Sequence, residues 1–152
     1  MTIIFLSGSM SLSNVGSIEY VLKNIITEQL NVIIGDANGI DKSIQRFFKD
    51  NNYDKVTIYC SGNKCRNNVG TWDVVNVIVN KSLTGREFYT VKDKKMSEVA
   101  DCGFVIWDEH SLGSKNNIIE LVKQQKPTLV YLSHQRKLVM VYNVYDVDLL
   151  FS

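Results

Sequence analysis

The sequence predicts a three-layer α/β domain, in which a mainly parallel sheet of about five core strands is covered by helices on both faces. Three observations carry this expectation. Short, uniformly apolar runs alternate with segments whose apolar residues recur at helical spacing. Each run stops at a stretch of glycine and small polar residues. No repeat, low-complexity tract or linker interrupts the 152 residues, so one domain over 1–152 is expected.

Thr2–Leu6 is the first strand and ends at Ser7-Gly8-Ser9. Ser17–Leu30 follows as a helix, with Ile18, Val21, Leu22, Ile25 and Ile26 on one face and Ser17 placed to cap it. Val32–Ile34 is the second strand and runs into Gly35-Asp36-Ala37-Asn38-Gly39. A helix over Ile40–Asp50 turns Ile44, Phe47 and Phe48 inward, and Lys55–Cys60 is the third strand. Trp72–Val79 reads as a strand or a short helix, and Phe88-Tyr89-Thr90 as a short extended piece. Lys92–Ala100 is a helix with Met96 and Val99 inside, followed by a strand over Gly103–Trp107. Asn116–Gln125 is the last helix before Pro127, Thr128–Leu132 the fifth core strand, and Lys137–Tyr142 a candidate edge strand.

Composition narrows the function classes. An apolar share of 45% and a charged share of 22% are those of a folded globular chain. A formal charge of +1 argues against tight nucleic-acid binding, which needs a concentrated basic surface. No apolar run approaches the roughly 18 residues that cross a bilayer, and the first residues lack the basic and apolar regions of a signal peptide, so a cytoplasmic protein is expected. Cys60, Cys65 and Cys102 are too few for a disulfide framework and are expected to be reduced thiols. With His110 and His134 isolated, the sequence calls for no metal ion and no cofactor.

Four stretches at strand ends can carry chemistry. Ser7-Gly8-Ser9 offers a close backbone approach with flanking hydroxyls. Gly35 to Asp41 leads into a helix N-terminus, where free amides favour an anion. Within it Gly35 and Gly39 bracket the turn, Asp36 is placed to accept hydrogen bonds from a ligand hydroxyl, and Asp41 reads as a helix-start residue. In Tyr59–Trp72, Arg66 is a candidate phosphate clamp and Tyr59 or Trp72 a candidate stacking ring, with core packing the favoured reading of Trp72. In Trp107–Asn117, Gly113 and Ser114 can hold an anion, while Asp108 stands where a ribose-binding or catalytic carboxylate is usual. Lys92 and Asp93 are of next interest, with Asp93 a possible helix cap. A His110 base acting on Ser111 or Cys102 is disfavoured, because sequence neighbours rarely make such a pair.

These turns, in this order, resemble the SMF/DprA–LOG (SLOG) superfamily of Rossmann-like nucleotide-binding proteins. The resemblance covers most of Ile3–Leu132 and rests on Ser7-Gly8-Ser9, Gly35–Asp41, Ala100-Asp101, Ile106-Trp107-Asp108 and Gly113-Ser114. It implies a Rossmann-like fold, a nucleotide or nucleotide-derived ligand, and homo-oligomers. Cytokinin-activating phosphoribohydrolases of this group carry Pro-Gly-Gly-x-Gly-Thr and a catalytic glutamate, which Ser111–Asn117 lacks. Nucleoside deoxyribosyltransferases and related N-glycosidases place a glutamate four residues after the corresponding glycine, where this chain has Asn117.

The leading expectation is therefore binding of a nucleotide or nucleotide-derived metabolite at the carboxyl ends of the strands. Ser7, Gly8, Ser9, Gly35, Gly39, Arg66, Gly113 and Ser114 would hold it, with Asp36 and Asp108 on its hydroxyls. The alternative is an N-glycosidase or deoxyribosyltransferase-like enzyme using Asp108 and Glu120. A single-strand DNA binder is third, and the near-neutral charge counts against it.

Overall fold

A computed structural model describes residues 2–150; Met1, Phe151 and Ser152, the ends of the expected 1–152 domain, lie outside the described residues. Seven strands form one sheet in the order β4-β3-β2-β1-β5-β6-β7. They are β1 (Ile3–Gly8), β2 (Asn31–Gly35), β3 (Val56–Ser61), β4 (Asp73–Val77), β5 (Cys102–Trp107), β6 (Thr128–Leu132) and β7 (Lys137–Val141). All neighbours run parallel except β6 and β7, which pair antiparallel from Thr128↔Val141 to Leu132↔Lys137. The five expected core strands are present, and two edge strands bring the sheet to seven.

Alternation along the core strands makes two hydrophobic layers, because successive side chains point to opposite faces. Ile4, Leu6, Val32, Ile34, Ile58, Phe104 and Ile106 pack beneath α1 (Glu19–Thr27) and α2 (Ile40–Asp50), meeting Leu22, Ile25, Ile44 and Phe48. Phe5, Ile33, Tyr59, Val105, Trp107 and Val130 face the other way. They meet Met96 of α3 (Gly85–Val99), Ile118 and Leu121 of α4 (Leu112–Lys123), and Val147 of α5 (Val144–Leu150). The result is a Rossmann-like three-layer sandwich.

Several local expectations are corrected. Ser17 is not a cap: it sits inside a single 3-10 turn, Gly16–Ile18, and makes no side-chain capping bond to that turn or to α1. Phe88-Tyr89-Thr90 is helical, because α3 begins seven residues before the expected Lys92. There Phe88 packs under Gly62, where a Cβ would fall 2.9 Å from the ring and where φ is 75°. Trp72–Val79 resolves into the edge strand β4, and α4 starts at Leu112, so Gly113 and Ser114 lie in its first turn.

The chain builds β1 to β4 outward on one side, then crosses through α3 to place β5 on the other side of β1. That reversal opens a crevice beyond the carboxyl ends of β1 and β5, the switch point where α/β sheets take ligands.

Candidate functional site

A cavity of about 450 Å³ occupies this crevice. Its floor is Ser7, Gly8 and Ser9 at the end of β1, and one wall is Ser111, Gly113, Ser114 and Asn117 from the start of α4. The facing wall comes from α3, with Arg86, Tyr89, Thr90, Lys92 and Asp93, while Ala37, Asp41 and Arg66 close the third side. A wider groove of about 670 Å³ runs along the outer side of α3, but none of its lining residues is fully buried.

Serines fasten β1 to α4. Ser9 N continues the ladder to Ile106 O at 2.9 Å, and Ser9 Oγ accepts from Asp108 N at 3.0 Å while standing 3.1 Å from Ser114 Oγ. Asn117 Nδ2 donates to Ser7 Oγ at 2.8 Å. The first turn of α4 has amides with no intrahelical partner, and it contains no acidic residue. Gly113 has open space where a Cβ would project.

Other expected ligand contacts are committed to the protein itself. Asp36 is fully buried; its Oδ1 takes Arg66 Nη2 at 2.8 Å and its Oδ2 takes Arg66 N at 2.8 Å. Asp36 therefore anchors the loop after β3 and does not border the cavity. Arg66 gives Nη2 to this pair and lies with its guanidinium 3.7 Å over the Tyr89 ring, while its buried Nε has no hydrogen-bond partner among the described residues; it borders the cavity. Gln45 and Asn67 complete the stitching through Gly35 O, Asp36 O and Val69 N.

The glycines of the second turn serve packing. A Cβ on Gly39, at φ 78°, would fall 2.5 Å from Met10 O. A Cβ on Gly35 would lie 2.8 Å from both Asp41 Oδ2 and Lys92 Nζ. Neither glycine lines the cavity, whereas Gly8 does so while also meeting Ile40.

Asp108 does not border the cavity, and its carboxylate is bonded within the protein. Its Oδ2 accepts from Ser11 Oγ at 2.6 Å and Ser111 Oγ at 2.5 Å, and its Oδ1 accepts from His110 N and Ser111 N. Burial alone would raise its pKa, but these four bonds to the charged form outweigh burial and hold it well below the carboxylate range. It fixes the turn into α4. Glu120, two turns into α4, does not border the cavity either.

The cavity's own charged groups are Asp41, Lys92 and Asp93, with Arg66 and Arg86 at its side and rim. Lys92 is 3% exposed, and its Nζ donates to Asp93 Oδ1 at 2.6 Å. Burial opposes its charge, yet Asp93 and Asp41 outweigh that and raise its pKa. Asp41, 6% exposed, accepts from Ala37 N at 3.2 Å and is pushed up to about 7, chiefly by burial, with Lys92 pulling the other way. Sequence reasoning ranked Lys92 and Asp93 only next in interest and read Asp41 as a helix-start residue. One signal was available: Lys92 precedes Met96 by four residues, so a lysine stands on the inward face of its helix.

Cys60 and Cys65 are joined in a disulfide with Cα atoms 5.2 Å apart, which corrects the expectation of free thiols. Cys102 is a free thiol at the opposite end of β5 from His110, so no nucleophile–base pair forms between them. Asp36, Cys60 and Cys65 present ligand atoms within 4.8 Å of one another, but the sulfurs are bonded together and the carboxylate is held by Arg66. Trp72 donates to Tyr53 O and packs on the core as expected, while Tyr59 is buried against the sheet and is no stacking ring. No helix among the described residues is long and apolar enough to cross a membrane. Neither a scan against protein-family models nor a search of curated proteins finds a match to this chain.

Proposed function

We propose that the cavity binds a nucleotide or nucleotide-derived metabolite through its phosphate. The observation that carries this reading is the Lys92 ammonium. It is almost wholly buried against the cavity, one of its three hydrogens goes to Asp93, and the other two have no acceptor among the described residues. A buried ammonium with unfilled donors calls for further acceptors, which the oxygens of a phosphate supply. The first-turn amides of α4 border the same space, where the helix dipole favours negative charge. The volume suits a small ligand, since such sites run from about 300 to 1,000 Å³. Kinship with the SLOG superfamily is part of the proposal, resting on the three turns that meet here.

The test is thermal shift and calorimetry with a panel of nucleoside 5′-monophosphates. Stabilisation is expected for the wild type, with affinity at least about tenfold weaker for Lys92→Met. If no member of the panel stabilises the protein, the reading is lost.

A second reading, hydrolysis of an N-glycosidic bond, is favoured by two carboxyl groups facing one cavity, Asp41 and Asp93. They replace Asp108 and Glu120 as the residues to test. Release of free base from the same panel, read by chromatography, separates enzyme from binding protein. Self-association belongs to the proposal as well, supported by the open rim of β4, where Val74 and Val75 are exposed, and by exposed Ile78 just after it. Light scattering after size exclusion measures it.

A further inference from the structure

The proposed phosphate site holds a buried acid as well as a buried cation. Asp41 lies in the first turn of α2 with one carboxyl oxygen on Ala37 N, and its other oxygen has no protein partner among the described residues. Both Asp41 Oδ2 and Lys92 Nζ stand 2.8 Å from the point a Cβ on Gly35 would take, so the two groups are near neighbours. The charged groups around Asp41 are Asp36 from its own turn, Lys92 and Asp93 from α3, and Arg66 from the loop after β3. Arg66 is paired with Asp36 and Lys92 with Asp93, each pair neutral in sum. With Asp41 neutral the inner site has no excess negative charge. With Asp41 ionised it carries one, directly where a phosphate would sit.

We propose that Asp41 meets the ligand as a neutral carboxylic acid, donating its proton to an oxygen of a phosphate monoester that Lys92 also holds, so that binding takes up a proton. The inference rests on the phosphate-binding reading and deepens it. No covalent bond changes: the dianion accepts a hydrogen bond from the acid, and the proton comes from solvent. A monoester is already dianionic above neutral pH, since its second ionisation lies near about 6. The pH dependence there reports the protein. Lys92 stays charged across that range because its neighbours raise its pKa.

The experiment is calorimetry with adenosine 5′-monophosphate and ribose 5-phosphate between pH 7 and 9, in buffers of different ionisation enthalpy. Nearly one proton should enter per ligand bound at pH 8, since Asp41 titrates at about 7 in the free protein. Affinity should fall towards tenfold per pH unit above that point. Asp41→Asn keeps the acceptor for Ala37 N and removes the titration, so its binding should be flat with pH and tighter than wild type at pH 8.5. A merely structural aspartate would show neither. Binding that is flat with pH in the wild type overturns the inference and leaves the phosphate reading intact. No binding of either probe overturns both. Should Asp41→Asn fail to fold, carbon NMR of the wild-type carboxyl decides: its titration must move up by at least a unit with adenosine 5′-monophosphate, and no movement overturns the inference.

Discussion

Asp108 and Asp41 are both buried at the carboxyl end of the sheet, and their surroundings drive them in opposite directions. Asp108 is stabilised as an anion by two hydroxyls and two amides. Its folded pKa lies below its unfolded value, so its contribution is present above about pH 4 and is lost as pH falls towards the folded value. Asp108→Asn should cost about 2 kcal/mol at pH 7, with the difference from wild type narrowing below pH 4. Asp41 has the opposite sign. Raised from 3.8 to about 7, it makes folding take up a proton, so its contribution holds below pH 4 and fades as pH rises through 7. Asp41→Asn should therefore stabilise the fold at pH 8.5, on the order of 2–4 kcal/mol, and do little at pH 4. Urea melts at the two pH values check both signs; a uniform effect of either substitution would refute its assignment.

At the level of elements, β1 and α2 touch through a missing side chain. A Cβ on Gly8 would lie 2.2 Å from Ile40 Cγ2 at the head of α2. Gly8→Ala should thus destabilise by about 1–3 kcal/mol through overpacking. The cost should shrink in an Ile40→Ala background, because the crowded methyl groups are gone, and a double-mutant cycle measures that coupling. How far the elements could be read depended on how they are buried. The core strands β1, β2, β3, β5 and β6 are covered on both faces, so they appear as plain apolar runs. β4 is mostly exposed and its pattern is ambiguous between strand and helix. In α3 the triplet Phe88-Tyr89-Thr90 has strand-like chemistry, yet Tyr89 is held beneath Arg66, a contact between segments far apart in the chain. The glycine- and serine-bearing turns were legible as a shared rim. The partner of Asp36 was not, since Arg66 lies thirty positions further on and nothing local announces the pair.

Across the whole molecule, the two hydrophobic layers share one set of strands, with neighbouring residues of β1 contributing to each. Neither layer can lose its packing while the sheet survives unchanged. Denaturation should accordingly give one transition, with far-UV and near-UV signals superimposing; separated midpoints would show that the layers melt independently.

Gly35 links these scales. It ends β2 and pairs with Tyr59, yet the space its side chain would fill is taken by a carboxyl oxygen of Asp41 and the ammonium of Lys92. The smallest enlargement of this one strand residue, a methyl group, would force these two ionisable groups to shift. The framework and the chemistry of the crevice therefore meet at this one position, where a residue without a side chain leaves room for both ionisable groups.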